Sequence, residues 1–467
     1  MPPFRRVLAI ADDLSGAAET AAGLSSRTTR SRVVLLGPDG PPGSDGSPGP
    51  AGPRPEEISA ADARAVTVLD LDSRYCPAED AADAVRGALR LAPTGDALVL
   101  KKIDSLLRGN VAAEVAALAA DGTGVIVAPA LPVAGRVVRA GVVHLGGVPL
   151  HEGGAWHAEA TAPPSSVADA LGGLPTVLIP LATVRAPRPT LLSALRAAVA
   201  AGRVAVCDAE TDADLDAIVG ASLAEDPRPR LVGTGGLATA LGRHLAALPA
   251  TADGDARPAP ADTAARPDLA ARAEAAAVAD RPVLVVVGTA EPGAVEQVRR
   301  LVADGAVHVG LDLADLLSEP PAAALPPLTA PLTVVTIAPA PGPPPAGPPL
   351  GAVRPATAAA AEAVDTAPVP ARRLVHGLAR TVAAALAAHD GAADLVLTGG
   401  ETARRVLDAL AITRLDPVGQ VHHGAVHLRT PDGRSVVTRP GSFGDPDSLR
   451  HIVRALRPHS TERKVTS

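Results

Sequence analysis

Two lysines stand side by side at Lys101 and Lys102, in a chain with three lysines in all against forty arginines. A compact ammonium suits a phosphate or carboxylate oxygen that the planar guanidinium fork fits less well, so lysine kept at this spot points to an anion. The apolar run Ala97–Leu100 leads straight into the pair, and Asp104, Ser105, Arg108 and Asn110 follow within a few residues. Lys102, Asp104 and Arg108 thus fall where a strand ends and the next helix begins, a place where free backbone N–H groups and basic side chains favour negative charge.

Three further segments carry polar groups at strand ends. Ile10-Ala11-Asp12-Asp13-Leu14-Ser15-Gly16-Ala17 closes the first strand with two adjacent carboxylates. They could orient or deprotonate a hydroxyl or hold Mg²⁺, and one of them could instead cap the helix that follows. A third strand ends in Asp72, Ser73 and Arg74. Arg74 could pair with a substrate carboxylate as a two-pronged fork or make an ordinary surface ion pair. After the fifth strand, the Pro129–Arg136 turn presents Arg136. Cations for an acid group, together with carboxylates for hydroxyls, suit a polyhydroxy carboxylate.

The second half carries Thr398-Gly399-Gly400-Glu401-Thr402-Ala403 between the strand Leu395–Leu397 and a helix. Strand, glycine pair and helix start let backbone N–H groups approach a phosphate, although the lysine of a P-loop is absent. Val287-Gly288-Thr289 ends another strand of that half, and Thr438-Arg439-Pro440-Gly441-Ser442-Phe443-Gly444 is a late glycine-bracketed turn. Gly233-Thr234-Gly235-Gly236 is a comparable turn at the close of the first half. Several such turns in one half indicate a nucleotide.

The elements that must position these residues are legible as a rhythm. Apolar runs at Val7–Ile10, Val33–Leu36, Val66–Leu69, Ala97–Leu100, Val125–Val127, Thr176–Ile179 and Val204–Val206 alternate with Ala/Leu-rich helical stretches. That alternation predicts an α/β fold of two domains, each a mainly parallel sheet flanked by helices. A Pro/Ala/Asp/Gly-rich stretch reads as a linker at 251–270, which sets a first domain at 1–250 and a second at 271–467. In the second, strands are expected at Val283–Val287, Val307–Leu311, Leu332–Ile337, Leu395–Leu397, Ala425–Leu428 and Ser435–Thr438. Residues 38–55, with glycine at every third position from Gly40 to Gly52, and the Pro-rich residues 339–350 read as loop insertions. With aromatics at 1%, the cores must be packed from Ala, Val, Leu and Ile.

Composition narrows the function. The formal net charge of −7 argues against a nucleic-acid partner. Cys76 and Cys207 make neither a disulfide framework nor a metal pattern. No apolar run is long enough for a membrane span and no signal peptide is evident, so a cytoplasmic protein is expected.

Taken together, these motifs resemble the four-carbon acid sugar kinases, the family of D-threonate, D-erythronate and 3-oxo-tetronate kinases. The opening IADDLSGA, the KKIDSLLRGN of Lys101–Asn110, the Pro129–Arg136 loop, the GTGGLA of Gly233–Ala238, the TGGETA of Thr398–Ala403 and the late GSFG turn all fall in that family's order. The resemblance implies a sugar-acid domain followed by a nucleotide domain, with ATP and Mg²⁺ as cofactors. It also implies γ-phosphoryl transfer to the terminal hydroxyl of a four-carbon sugar acid, and allows a homodimer. Asp12, Arg74, Lys102, Asp104, Ser105, Arg108 and Arg136 would face the acid, with Asp12, Asp13, Lys102 and Arg108 carrying the chemistry. Thr289, Gly399, Gly400, Glu401, Thr402, Gly441 and Gly444 would surround ATP. The chain departs from the family pattern at Arg439-Pro440, at Leu150–Trp156, at His422-His423 and at Leu106, where threonine is usual. Two other readings stand beside this one. The first is a non-catalytic sugar-acid sensor with the same two-domain clamp. The second is a dinucleotide-dependent enzyme, which lacks support because no G-x-G-x-x-G follows the first strand.

Overall fold

The computed structural model describes residues 6–26, 29–37, 65–91, 97–156, 159, 161–224, 227–247, 281–289, 291–319, 321–338, 369–389, 393–441 and 444–457. The contacts divide the chain into two compact units.

In the first unit the apolar runs form parallel strands: β1 (Arg6–Ala11), β2 (Arg30–Leu35), β3 (Ala65–Asp70), β4 (Ala97–Lys102) and β5 (Val125–Ala128). An antiparallel hairpin follows, β6 (Arg136–Arg139) and β7 (Val142–Leu145), with the short β8 (Val148–Pro149) beside it. The parallel set is completed by β9 (Thr176–Ile179), β10 (Val204–Cys207) and β11 (Arg230–Gly233). The eight parallel strands run in the order β2-β3-β1-β4-β11-β5-β10-β9. Helices cover them, among them α1 (Leu14–Leu24), α2 (Ala78–Leu91), α3 (Val111–Ala119), α4 (Asp212–Ser222) and α5 (Gly235–Ala247). The central strands are buried along their length, as a parallel sheet covered on both faces requires.

Register aligns the ends of the strands. Ala11 lies opposite Asp70 on one side and Lys102 on the other, Lys102 opposite Gly233, and Gly233 opposite Ala128. The residues that follow β1, β3, β4 and β5 therefore emerge along one edge, where open α/β sheets bind ligands.

In the second unit four parallel strands run in the order β13-β14-β12-β15: β12 (Val283–Val287), β13 (Val307–Leu311), β14 (Leu332–Ile337) and β15 (Asp394–Thr398). Its helices include α6 (Pro292–Ala303), α7 (Val369–Ala387), α8 (Gly400–Ala409) and α9 (Ser448–Leu456).

The contiguous split expected from sequence differs from the division of contacts. Ile412–Arg439 belongs with the first unit. It forms the antiparallel strands β16 (Arg414–His422), β17 (Ala425–Arg429) and β18 (Ser435–Arg439), and β16 pairs with the edge of β2. The physical reason is burial. Leu415, Val426, Leu428, Val436 and Val437 become core residues, and α1 packs on this ribbon. The linker expected at 251–270 and the insertions expected at 38–55 and 339–350 lie outside the described residues. Among the described residues no helix is long and apolar enough to cross a membrane.

Candidate active site

Asp12 and Asp13 form the turn between β1 and α1, and Arg74 holds both. The Arg74 fork meets Asp12 with Nε to Oδ2 at 2.7 Å and Nη2 to Oδ1 at 3.1 Å. Its Nη1 also donates to Asp13 Oδ2 at 3.0 Å. Asp13 caps α1 as well, accepting from the Gly16 N–H at 2.9 Å, so capping and site membership coexist in one side chain. Burial alone would raise the Asp12 carboxyl, but the Arg74 guanidinium, with Lys101 and Lys102 adding positive charge, holds it below the usual carboxylate range. The fork that could have paired with a substrate carboxylate is thus turned onto the protein's own aspartates.

The neighbouring lysines do not act as a pair. Successive strand residues point to opposite faces, and β4 is still a strand at these positions. Lys102 lies beneath α1: its Nζ is 3.9 Å from Glu19 Oε2 and would be 2.9 Å from a Cβ on Gly16. Lys101 points away from it and is wholly buried, with Nζ 2.9 Å from Glu114 Oε2 on α3.

Asp104 organises the loop after β4. It accepts from the Leu106 N–H at 3.0 Å, and from Arg108 Nε and Nη2 at 2.8 Å each. Arg74 Nη2 stands 3.9 Å from its Oδ1. Burial opposes ionisation of Asp104, yet the Arg108 hydrogen bonds and the Arg74 charge hold its carboxyl far below the usual range. Arg136 donates to the Ser105 hydroxyl. Arg108 also faces Glu159 at 3.9 Å. The sequence-predicted residues Asp12, Asp13, Arg74, Lys102, Asp104, Ser105, Arg108 and Arg136 are therefore brought to one edge of one sheet. Asn110, already part of the Lys101–Asn110 cluster, lies with them, and Glu19, Glu159 and Glu114 join them without having been singled out. Glu19 falls on the same helix as the Asp13 cap, which was the available signal for it. Glu159 lies just after the Leu150–Trp156 segment, where the chain departs from the family pattern and so offered no signal for it.

In the second unit, Val287 pairs with Thr398, so the turns after β12 and β15 are neighbours. Gly399 sits at φ +97°, in the region glycine favours, and starts α8 with no side-chain cap. The first N–H groups of α8 are therefore left without a capping side chain. A Cβ on Gly288 would lie 2.1 Å from Thr402 Oγ1, and one on Gly441 would lie 3.1 Å from Thr289 Cγ2. Three turns thus pack closely through half-buried glycines that leave no room for a side chain. The Thr398 hydroxyl is buried with no hydrogen-bond partner among the described residues. Gln297 holds the late turn by donating to the Asp445 carbonyl at 2.8 Å, and Gly444 beside it is at φ +93°. These features fit the phosphates of a nucleotide, whose oxygens seek N–H donors and tolerate no Cβ. Gly400 and Glu401 are half-buried at the helix start, whereas Thr402 is turned inward against Gly288. Ser442 and Phe443 lie outside the described residues. No group of three or more His, Cys, Asp or Glu among the described residues could cage a metal ion. Mg²⁺ bound with phosphates ordinarily needs only one or two carboxylates.

Comparison with known proteins agrees with this two-part chemistry. The model of a sugar-binding N-terminal domain matches residues 7–241, and that of a nucleotide-binding C-terminal domain matches residues 284–449. The D-threonate kinase of Cupriavidus necator is 32% identical over 464 residues, covering 96% of this chain and 97% of that one. The chain belongs to the four-carbon acid sugar kinase family. The 3-oxo-tetronate kinase of Methylobacterium radiotolerans is 31% identical, covering 94% of this chain and 96% of that one. A crystal structure of a Salmonella typhimurium LT2 protein shares the fold, with a TM-score of 0.67 at 20% identity over 96% of this chain and 99% of the other.

Of the departures from the family pattern, Leu106 lies within the Asp–Arg lattice, where only its backbone N–H takes part, and the others fall outside it. Arg439 is the last residue of β18 and is almost fully buried, which pulls its guanidinium down to about 10. His422 Nδ1 lies 3.0 Å from the His423 carbonyl, at the tip of the β16–β17 ribbon. In the 150–156 segment Leu150 and Trp156 are buried while His151 and Glu152 face solvent.

Proposed function

We propose that the protein is an ATP-dependent kinase that phosphorylates the terminal hydroxyl of a four-carbon sugar acid: threonate, erythronate or 3-oxo-tetronate. The observation that carries this reading is the Arg74-ordered pair of carboxylates at the strand ends, in a chain whose second unit presents bare glycine turns. In this reading the substrate hydroxyl donates to Asp12 or Asp13. As the new O–P bond forms and the bond to the ADP oxygen breaks, that carboxylate takes the proton and passes it to water. A carboxylate held this low is a weak base. Phosphoryl transfer with a loose transition state asks for alignment and charge neutralisation more than for base strength, so a well-oriented weak base suffices. Lys102 and Arg108 supply positive charge for the acid group or for the transferring phosphoryl, and Arg136 is held at the edge of the site by Ser105. Thr289, Gly399, Gly400 and Gly441 would hold the nucleotide. ATP with Mg²⁺ would supply the activated phosphoryl group. A cytoplasmic setting and a homodimer belong to the same proposal.

A coupled ADP-release screen over the tetronates and their 3-oxo forms tests it. At least one acid should release ADP in step with its consumption. Asp12→Asn or Asp13→Asn should lower kcat about a hundredfold or more. If both variants keep wild-type kcat, the role given to the aspartates is wrong. If no acid turns over and calorimetry finds sugar-acid binding with no ATP binding, the chain is a sensor.

A further inference from the structure

Arg74 is ordered from beneath by groups that no substrate reaches. The Ser73 hydroxyl donates to Glu114 Oε1 at 2.5 Å, and Glu114 is held in turn by Lys101 at 2.9 Å; all three side chains are at most 1% exposed. Lys101 Nζ also donates to the Lys102 carbonyl at 3.2 Å, which ties the network to the end of β4. The backbone N–H groups of Ser73 and Arg74 both donate to the Asp12 carbonyl, at 3.0 and 3.2 Å. Asn110 occupies the cap position of α3 yet makes no cap bond; its amide donates instead to the carbonyls of Ser73 and Cys76, at 2.8 and 2.9 Å. Gly109, at φ +85°, is packed so closely that a Cβ there would lie 3.0 Å from Arg74 Cγ. Asp72, two residues before Arg74, adopts φ +52° without being glycine. A cap given up and a backbone held in a disfavoured conformation both favour one position of the 72–76 loop.

We infer that Ser73, Glu114 and Lys101 form a buried seat that fixes the position of Arg74, and that through Arg74 this seat sets the kinase's affinity for its sugar acid. Glu114 and Lys101 are positioning residues here, remote from the reacting atoms. The proposal about affinity rests on the kinase reading; the seat itself does not.

Ser73→Ala separates the loop from the ion pair and leaves Lys101 and Glu114 paired, so the fold should survive. Without any ligand, the Cys76 thiol reports on the loop, since its Sγ donates to the Ser73 carbonyl at 3.2 Å and the only other cysteine, Cys207, is fully buried. Modification of Cys76 by a disulfide reagent should run several-fold faster in Ser73→Ala than in wild type, with the thermal midpoint within a few degrees. In turnover, the variant should raise KM for the sugar acid about tenfold or more and leave KM for ATP unchanged. Combined with Arg74→Lys, it should add less than its effect on its own, because both act through one fork. An unchanged thiol rate overturns the seat. A faster thiol with unchanged sugar-acid KM, with both KM values raised together, or with full additivity overturns its link to affinity. A faster thiol in a protein that turns over no sugar acid leaves the seat standing and overturns the kinase reading.

Discussion

Asp104 has more partners than any other carboxylate of the site, and its chemistry follows from them. Two Arg108 hydrogen bonds of 2.8 Å and the nearby Arg74 offset the burial that would otherwise protonate it. A carboxyl lowered in the folded state contributes stability that is present above its unfolded value near 4 and is lost as pH falls through the folded value. The wild-type lattice should therefore stay ionised well into acid. Arg108→Ala leaves burial opposed mainly by Arg74 at 3.9 Å, and the Asp104 carboxyl rises. The acid limb of kcat/KM should then move to higher pH, with the deficit of the variant growing between pH 7 and 4. Parallel profiles for variant and wild type would show that Arg108 does not govern this carboxyl.

Turns and strands set what each residue can reach. Gly399 holds φ +97° and ψ +128°, a sparsely populated conformation that costs a residue bearing a Cβ about 1–3 kcal/mol. At Gly288 a Cβ would overlap the Thr402 hydroxyl at 2.1 Å, so α8 would have to shift. Gly399→Ala and Gly288→Ala should each weaken ADP binding by calorimetry about tenfold, equivalent to 1.4 kcal/mol, while sugar-acid binding stays within about twofold. Nucleotide affinity undiminished in Gly399→Ala would remove the turn from the phosphate site. Element by element, the sequence was readable where strands are buried on both faces, because such strands are unbroken apolar runs: Val7–Ile10 and Val283–Val287 are plain. The strand β16 was not, since Pro417, the exposed Val418 and Gly419 interrupt it and its pairing with β17 shifts register twice. The β6–β7 hairpin was hidden because its turn is Ala140-Gly141, with φ of +48° and +75°, rather than the usual Asn-Gly. The site residues were legible as types at strand ends, but which way each lysine points is decided by the two-residue period of β4. The link from Ser73 to Glu114 spans two elements and has no local signature.

At the scale of the molecule, the two units are interleaved along the chain. The first is completed only by Ile412–Arg439, whose β16 pairs with β2 and whose core residues are fully buried. A fragment of residues 1–250 would leave the edge of β2 bare, with the Leu35 N–H deprived of its Thr413 carbonyl partner, and an open edge invites association. We expect that fragment to melt without cooperativity and to aggregate on size exclusion. The same fragment joined by a Gly/Ser linker to 412–439 should regain a single sharp transition. A cooperative, monomeric 1–250 would show that the ribbon is dispensable.

The interleaving also fixes a timetable at the ribosome. All four strands of the second sheet have been made by Thr398, before β16 begins at Arg414. The four strands of that sheet are thus encoded before the ribbon that covers the edge of β2, while the helix α9 of the same unit comes after it, so neither unit has all its parts until the other is nearly made.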